Sequence, residues 1–115
     1  MLYQLRTKDG VEPSSSGTLR LTDGKAEHLK LADFRIEVLA HWTSPRTKAK
    51  YPAKWKLSVP SKELELTVTP LLADQELETP GASGVNYWEG LCRFEGTRAG
   101  KKVEGRGYVE LVGYA

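Results

Sequence analysis

The chain has 115 residues, a net charge of +2 and one cysteine, Cys92. That length makes one domain, residues 1–115, able to bury roughly two thirds of its unfolded surface without staples. The small charge gives no argument for nucleic acid or anionic membrane, a single thiol excludes an internal disulfide, and no apolar run approaches membrane-spanning length.

Leu2 to Thr7 reads as a strand that meets a turn signal at Lys8-Asp9-Gly10. No leader pattern precedes it, which leaves export of a longer parent open. Pro13-Ser14-Ser15-Ser16-Gly17 reads as a solvated loop. Thr18 to Thr22 alternates with Leu19 and Leu21 on one face, and Asp23-Gly24 is a tight hairpin signal. Lys25 to Leu31 is the return strand. Asp33 to Ala40 alternates with Phe34, Ile36 and Val38 inward.

Trp42 to Tyr51 reads as a loop rich in Ser, Pro, Thr and Lys. Arg46, Lys48 and Lys50, with Lys54 and Lys56 beyond, make the most basic stretch, read here as a solvated surface. Proline cannot donate to a ladder, so the next strand is expected after Pro52. Lys54 to Val59 sets Trp55, Leu57 and Val59 on one face and lysines on the other. Pro60-Ser61-Lys62 turns the chain. Glu63 to Thr69 alternates and Pro70 ends it. Leu72 to Leu77 is irregular, and Thr79 to Gly84 reads as a flexible loop.

The final stretch, Tyr87 to Tyr114, reads as one long hairpin. Trp88, Gly90, Cys92 and Phe94 share a face of its first strand; Gly105, Gly107, Val109, Leu111 and Gly113 share a face of its second. Two registers fit the turn. With Ala99-Gly100 as the loop, Glu89 faces Glu110 and Arg93 faces Arg106. With Gly100-Lys101 as the loop, Glu95 faces Arg106, and Phe94 and Trp88 lie over Gly107 and Gly113. Directly opposed like charges are unfavourable, so the second register is preferred. About eight short strands without a convincing helix argue for an all-β sandwich or an up-and-down barrel.

Chemical motifs are sparse. There is no Gly-x-Ser-x-Gly, no cysteine pair and no His-x-x-x-His, and nothing brings His28 and His41 together as metal ligands. No metal or cofactor is expected. His41 begins a loop, where a barrel mouth could lie. Trp42, Trp55 and Trp88 read as core or barrel-closing rings, or as ligand stackers together with Tyr87, Tyr108 and His41.

Four stretches carry a resemblance: His41-Trp42-Thr43-Ser44-Pro45, Tyr51-Pro52-Ala53-Lys54-Trp55, Asp74-Gln75-Glu76-Leu77, and Tyr87-Trp88-Glu89-Gly90 with Gly105 to Tyr114. Together they resemble the AttH-like family, grouped with the carotenoid 1,2-hydratases (hydroxyneurosporene synthase). The resemblance implies an antiparallel lipocalin-like (calycin) barrel of about eight strands. It also implies that this chain is the C-terminal half of a longer two-domain protein, with a periplasmic or secreted parent. The implied function is to bind or shape a pocket for an apolar small molecule. One alternative is a cofactor-free hydratase or hydrolase in the full-length parent. Its proton donor would be a carboxylic acid kept protonated by burial. The candidates are Glu89, Glu110 and Glu76, with Arg93 or Arg106 as partners that would instead hold Glu89 ionised. A second alternative is a structural domain that docks the missing N-terminal half. Both faces of the final hairpin carry apolar or aromatic residues, so the isolated domain is expected to form a homodimer when that half is absent.

Overall fold

The computed structural model describes residues 1–79, 81 and 85–114. The loop expected at Thr79–Gly84 therefore lies largely outside the described residues. Among the described residues ten strands follow one another: β1 (Arg6–Thr7), β2 (Gly10–Val11), β3 (Ser16–Arg20), β4 (Ala26–Lys30), β5 (Arg35–Thr43), β6 (Lys50–Val59), β7 (Leu64–Pro70), β8 (Glu76–Leu77), β9 (Tyr87–Arg98) and β10 (Lys101–Val112). Two short 3₁₀ turns, Leu31–Asp33 and Pro60–Lys62, are the helical elements among the described residues. The fold is all-β and antiparallel throughout.

The main sheet runs β10-β9-β7-β6-β5, with β8 added beside β7 on the same edge of β9. β3 and β4 form a hairpin of their own, as do β1 and β2. Among the described residues β10 and β5 share no ladder, so the barrel is not closed. Alternation selects the inner face. Trp88, Cys92, Val68, Trp55 and Leu111 are buried in one core cluster with Ala49 and Tyr51. Leu29, Phe34 and Val59 form a second, smaller cluster near the β3–β4 hairpin. At Gly96 the backbones of β9 and β7 approach closely: an added Cβ would collide with the Glu65 carbonyl.

The final hairpin takes the register with Ala99-Gly100 as its loop, not the one preferred from charge. Arg98 pairs with Lys101, Glu89 with Glu110 and Arg93 with Arg106. The turn decides this. Ala99 (φ 49°) and Gly100 (φ 76°) are both left-handed, which is the type I′ geometry that matches strand twist. The opposed like charges stand on the outer face, where water screens them. Arg93 turns instead to Glu95 at 3.4 Å and Glu104 at 3.7 Å. A cost of a few tenths of a kcal/mol per exposed pair does not outweigh a well-formed turn. Trp88 consequently faces Leu111, not Gly113, while the Phe94 ring lies diagonally over Gly107.

Four further expectations change. β5 and β6 extend past Trp42 and Tyr51, so the connecting loop shrinks to residues 44–49. Pro52 lies inside β6, opposite His41. It is tolerated there because the β7 ladder reaches only Trp55, leaving β6 paired on one side, and because the β5 register shifts at Ala40. Ser15, read as solvated, is buried, and its hydroxyl accepts the Leu5 N–H at 2.9 Å. The N-terminal strand is broken: Leu2 bridges Gly17, and only Arg6–Thr7 continues as a strand.

Candidate functional site

The tip of the β5–β6 hairpin is shaped by its own side chains. The Ser44 hydroxyl accepts the N–H groups of Arg46 and Thr47, each at 3.2 Å, and Thr47 Oγ1 accepts that of Ala49 at 3.3 Å. The Ser44 N–H donates to the Ala49 carbonyl at 2.9 Å. These local bonds replace ladder bonds, as Ser and Thr do in turns. They leave both hydroxyl protons aimed across the end of the sheet.

Glu76, at the start of β8, receives them. Its side chain is fully buried. Ser44 donates to Oε2; Thr47 and Tyr51 donate to Oε1, at 2.5 and 2.9 Å. The Arg46 guanidinium lies 3.3 Å from Oε2. Burial alone would raise the carboxyl pKa, but hydrogen bonds from Ser44, Thr47 and Tyr51 and the charge of Arg46 outweigh it. The net shift is downward, so Glu76 is a carboxylate, not an acid. Tyr51 moves the other way, up to about 12, through its own burial and its bond to Glu76. Arg46 also grips Asp74 through two bonds, at 2.5 and 3.0 Å, and Glu78 at 2.6 Å. Its charge is held well above the ordinary arginine value by the Asp74 and Glu78 hydrogen bonds. The same bond holds Asp74 low.

Around this cluster the chain is fastened to β9. The Gln75 amide accepts the Leu91 N–H at 3.0 Å and donates to the Leu91 carbonyl at 3.3 Å, imitating a strand neighbour. The Trp88 indole donates to the Ala73 carbonyl at 2.8 Å and packs 6.3 Å from Trp55. Trp42 stacks on Tyr51 at 6.2 Å, and Tyr51 meets Tyr114 at 5.9 Å. The structure thus gathers Glu76, Trp42, Trp55 and Trp88 at one end. The Tyr114 hydroxyl is buried there and has no hydrogen-bond partner among the described residues.

The remaining candidates lie elsewhere. Glu89 and Glu110 face each other on the outer face and are exposed. Tyr108 is 73% exposed beside Leu91. Tyr87, half-buried, pairs with Val112 and Leu77. His41 is exposed on β5, and His28 sits on β4 of a different sheet. No group of three His, Cys, Asp or Glu among the described residues could hold a metal ion.

Two things escaped the sequence. Arg46, counted among solvated bases, is the hub of three carboxylates. The period-two run Asp74, Glu76, Glu78 was the available sign of it. The second is a trough at the opposite end, about 280 Å³, between β3 and the inner face of the main sheet. Leu19, Leu64, Leu66, Phe94 and Val103 line it, with Gly105 as floor and Arg98 and Glu104 at its rim.

Comparison with known proteins agrees with this architecture. A family model described as AttH-like matches residues 1–114. The solved structure of an AttH protein from Nitrosomonas europaea is similar, with a TM-score of 0.82 and 36% identity, over 97% of this chain and 33% of that one. Kievitone hydratase from Nectria haematococca matches with a TM-score of 0.69 and 26% identity, over 85% of this chain and 29% of its own. No curated protein matches. The chain spans about a third of the length of these solved relatives.

Proposed function

Since the chain belongs to the AttH-like family, we propose that it is one lipocalin-like unit of a longer protein and shapes a pocket for an apolar small molecule. The trough beside Phe94 carries this reading. Its lining is mostly hydrocarbon, and it lies between β3 and the inner face of the main sheet. Its volume is just below the roughly 300 Å³ at which ligand pockets usually begin. It therefore suits a small molecule, or one end of a longer one. Titration with 1-decanol, followed by the methyl resonances of Leu64 and Leu66 and the ring of Phe94, tests it. Saturable shifts confined to those residues are expected. Shifts spread evenly over the surface would refute a pocket.

The likeness to a hydratase favours a second reading, that the full-length parent catalyses a hydration. Glu76 is a poor proton donor for it, being ionised. Glu89 and Glu110 stand opposite each other on the outer face. A further segment covering that face would bury this carboxylate pair. In the third reading the same face only docks. Leu77, Tyr108 and Val112 are exposed there, beside the open edge of β10. A second copy of the isolated domain would cover them when the rest of the protein is missing. Sedimentation at micromolar concentration is expected to show a dimer. A single monomeric species would end the docking reading.

A further inference from the structure

We infer that the trough takes an amphipathic acid: a small apolar body ending in one carboxylate, held by Arg98. This rests on the pocket reading above and names its ligand class. Arg98 is the last residue of β9. It belongs to the inner face, in line with Trp88, Cys92 and Phe94, and lies opposite Leu64 of β7. It is half-buried and borders the trough. A guanidinium on an apolar inner face ordinarily has a carboxylate against it. Here none does: among the described residues no acid lies within ion-pair distance of Arg98, and no side-chain hydrogen bond engages it.

Arg46, whose donors are committed, shows the contrast. It binds Asp74 by two parallel bonds and Glu78 by a third. Glu104 is the acid nearest the trough rim, and its carboxylate is turned to Arg93 on the outer face. The five guanidinium donors of Arg98, which borders a hydrocarbon-lined recess, are thus free of any acid among the described residues. A carboxylate accepts two of them in a planar fork, and the apolar tail then lies along Leu64, Leu66 and Phe94. An uncharged molecule of the same length fills the recess but leaves the fork empty. An amine would meet like charge at the rim.

Calorimetric titration of the chain with decanoate and with 1-decanol, both below their aggregation limits, separates the possibilities. Decanoate is expected to bind roughly five- to tenfold more tightly than decanol, the difference a partly exposed charged hydrogen-bond pair supplies. Arg98→Gln should abolish that preference, bringing decanoate binding to the level of decanol in the same variant. Arg98→Lys should restore part of it. Leu66→Trp, which fills the recess, should weaken both ligands. Equal binding of decanoate and decanol, indifferent to Arg98→Gln, would overturn the acid preference and leave the apolar pocket standing. Binding of neither would overturn both. Decanoate binding that survives Leu66→Trp would place the acid site elsewhere and overturn the inference.

Discussion

The two ends of the main sheet treat polar groups in opposite ways. At the Glu76 end a buried carboxylate receives three hydroxyl donors and a guanidinium, and the neighbouring indole and amide groups are bonded as well. At the Phe94 end the main sheet stays paired, but β3 belongs to a separate hairpin, apolar side chains line the space between, and Arg98 has no ion-pair partner among the described residues. Apart from the Tyr114 hydroxyl, which has no partner among the described residues, the Glu76 end is saturated: it holds shape and leaves little to give a ligand. An unsaturated end costs stability, and what it keeps free is what a ligand can use. The difference separates a fastening from a site, although the fastening holds more of the conspicuous residues.

Substitutions can break or sharpen this contrast. Trp88→Ala is expected to lose the most, about 3–5 kcal/mol, because the ring is 1% exposed and fills the closed end. Leu66→Ala, at the open end, should lose only about 1–2 kcal/mol, since that side chain is half-buried. Urea denaturation of both variants in one buffer makes the comparison. Equal losses would mean the two ends are equally packed.

Glu76→Gln should cost about 3 kcal/mol, because an amide turns a donor toward hydroxyls that already donate. It should also change the acid limb of the stability curve. The Glu76 pKa is lowered from its ordinary 4.5 in the folded state. Its contribution is therefore present above pH 4.5 and is lost as pH falls through the folded value. The loss between pH 7 and pH 3 should shrink in the variant. An unchanged acid limb would show that the cluster is not where the acid sensitivity lies. Tyr51 works at the other limb: its pKa is raised from 10 to about 12, so its contribution fades as pH climbs through that interval.

Smaller effects remain. Ala99→Asn should stabilise by about 0.5–1 kcal/mol, because asparagine tolerates the left-handed turn position better than alanine. A loss there would mean the hairpin prefers the other register in solution. Tyr114→Phe removes a buried hydroxyl that bonds to nothing. It should be neutral or stabilising by up to about 1 kcal/mol in thermal denaturation. A clear loss would show that the hydroxyl has a partner.

Period-two patterns made the strands legible and put Trp88, Cys92 and Phe94 on one face, but left open which face was the interior; burial of Trp88 and Cys92 decides it. The hairpin register was not legible from charge. The deciding quantity was backbone twist at Ala99 and Gly100, and exposed like charges weigh little against it. Pro52 misled for a related reason: a rule for paired strands was applied where β6 has one neighbour only. The Glu76 cluster joins residues about thirty apart in the chain, so no local pattern could bring Ser44 and Tyr51 to it. The motifs did contain most of its members. The open trough is hardest to foresee, since it lies between β3 and a sheet with which β3 shares no ladder.

Cys92 turns the closed end into its own clock. The thiol is 0% exposed and its pKa is pushed up to about 11 by burial. A thiol reagent can reach neither the sulfur nor its reactive thiolate while the sheet is intact. Because Cys92 is the sole cysteine, labelling at neutral pH counts openings of the core one molecule at a time. With labelling fast relative to reclosing, its rate is the opening rate. A ligand seated at the far end of the sheet would then slow the chemistry of a sulfur it never touches.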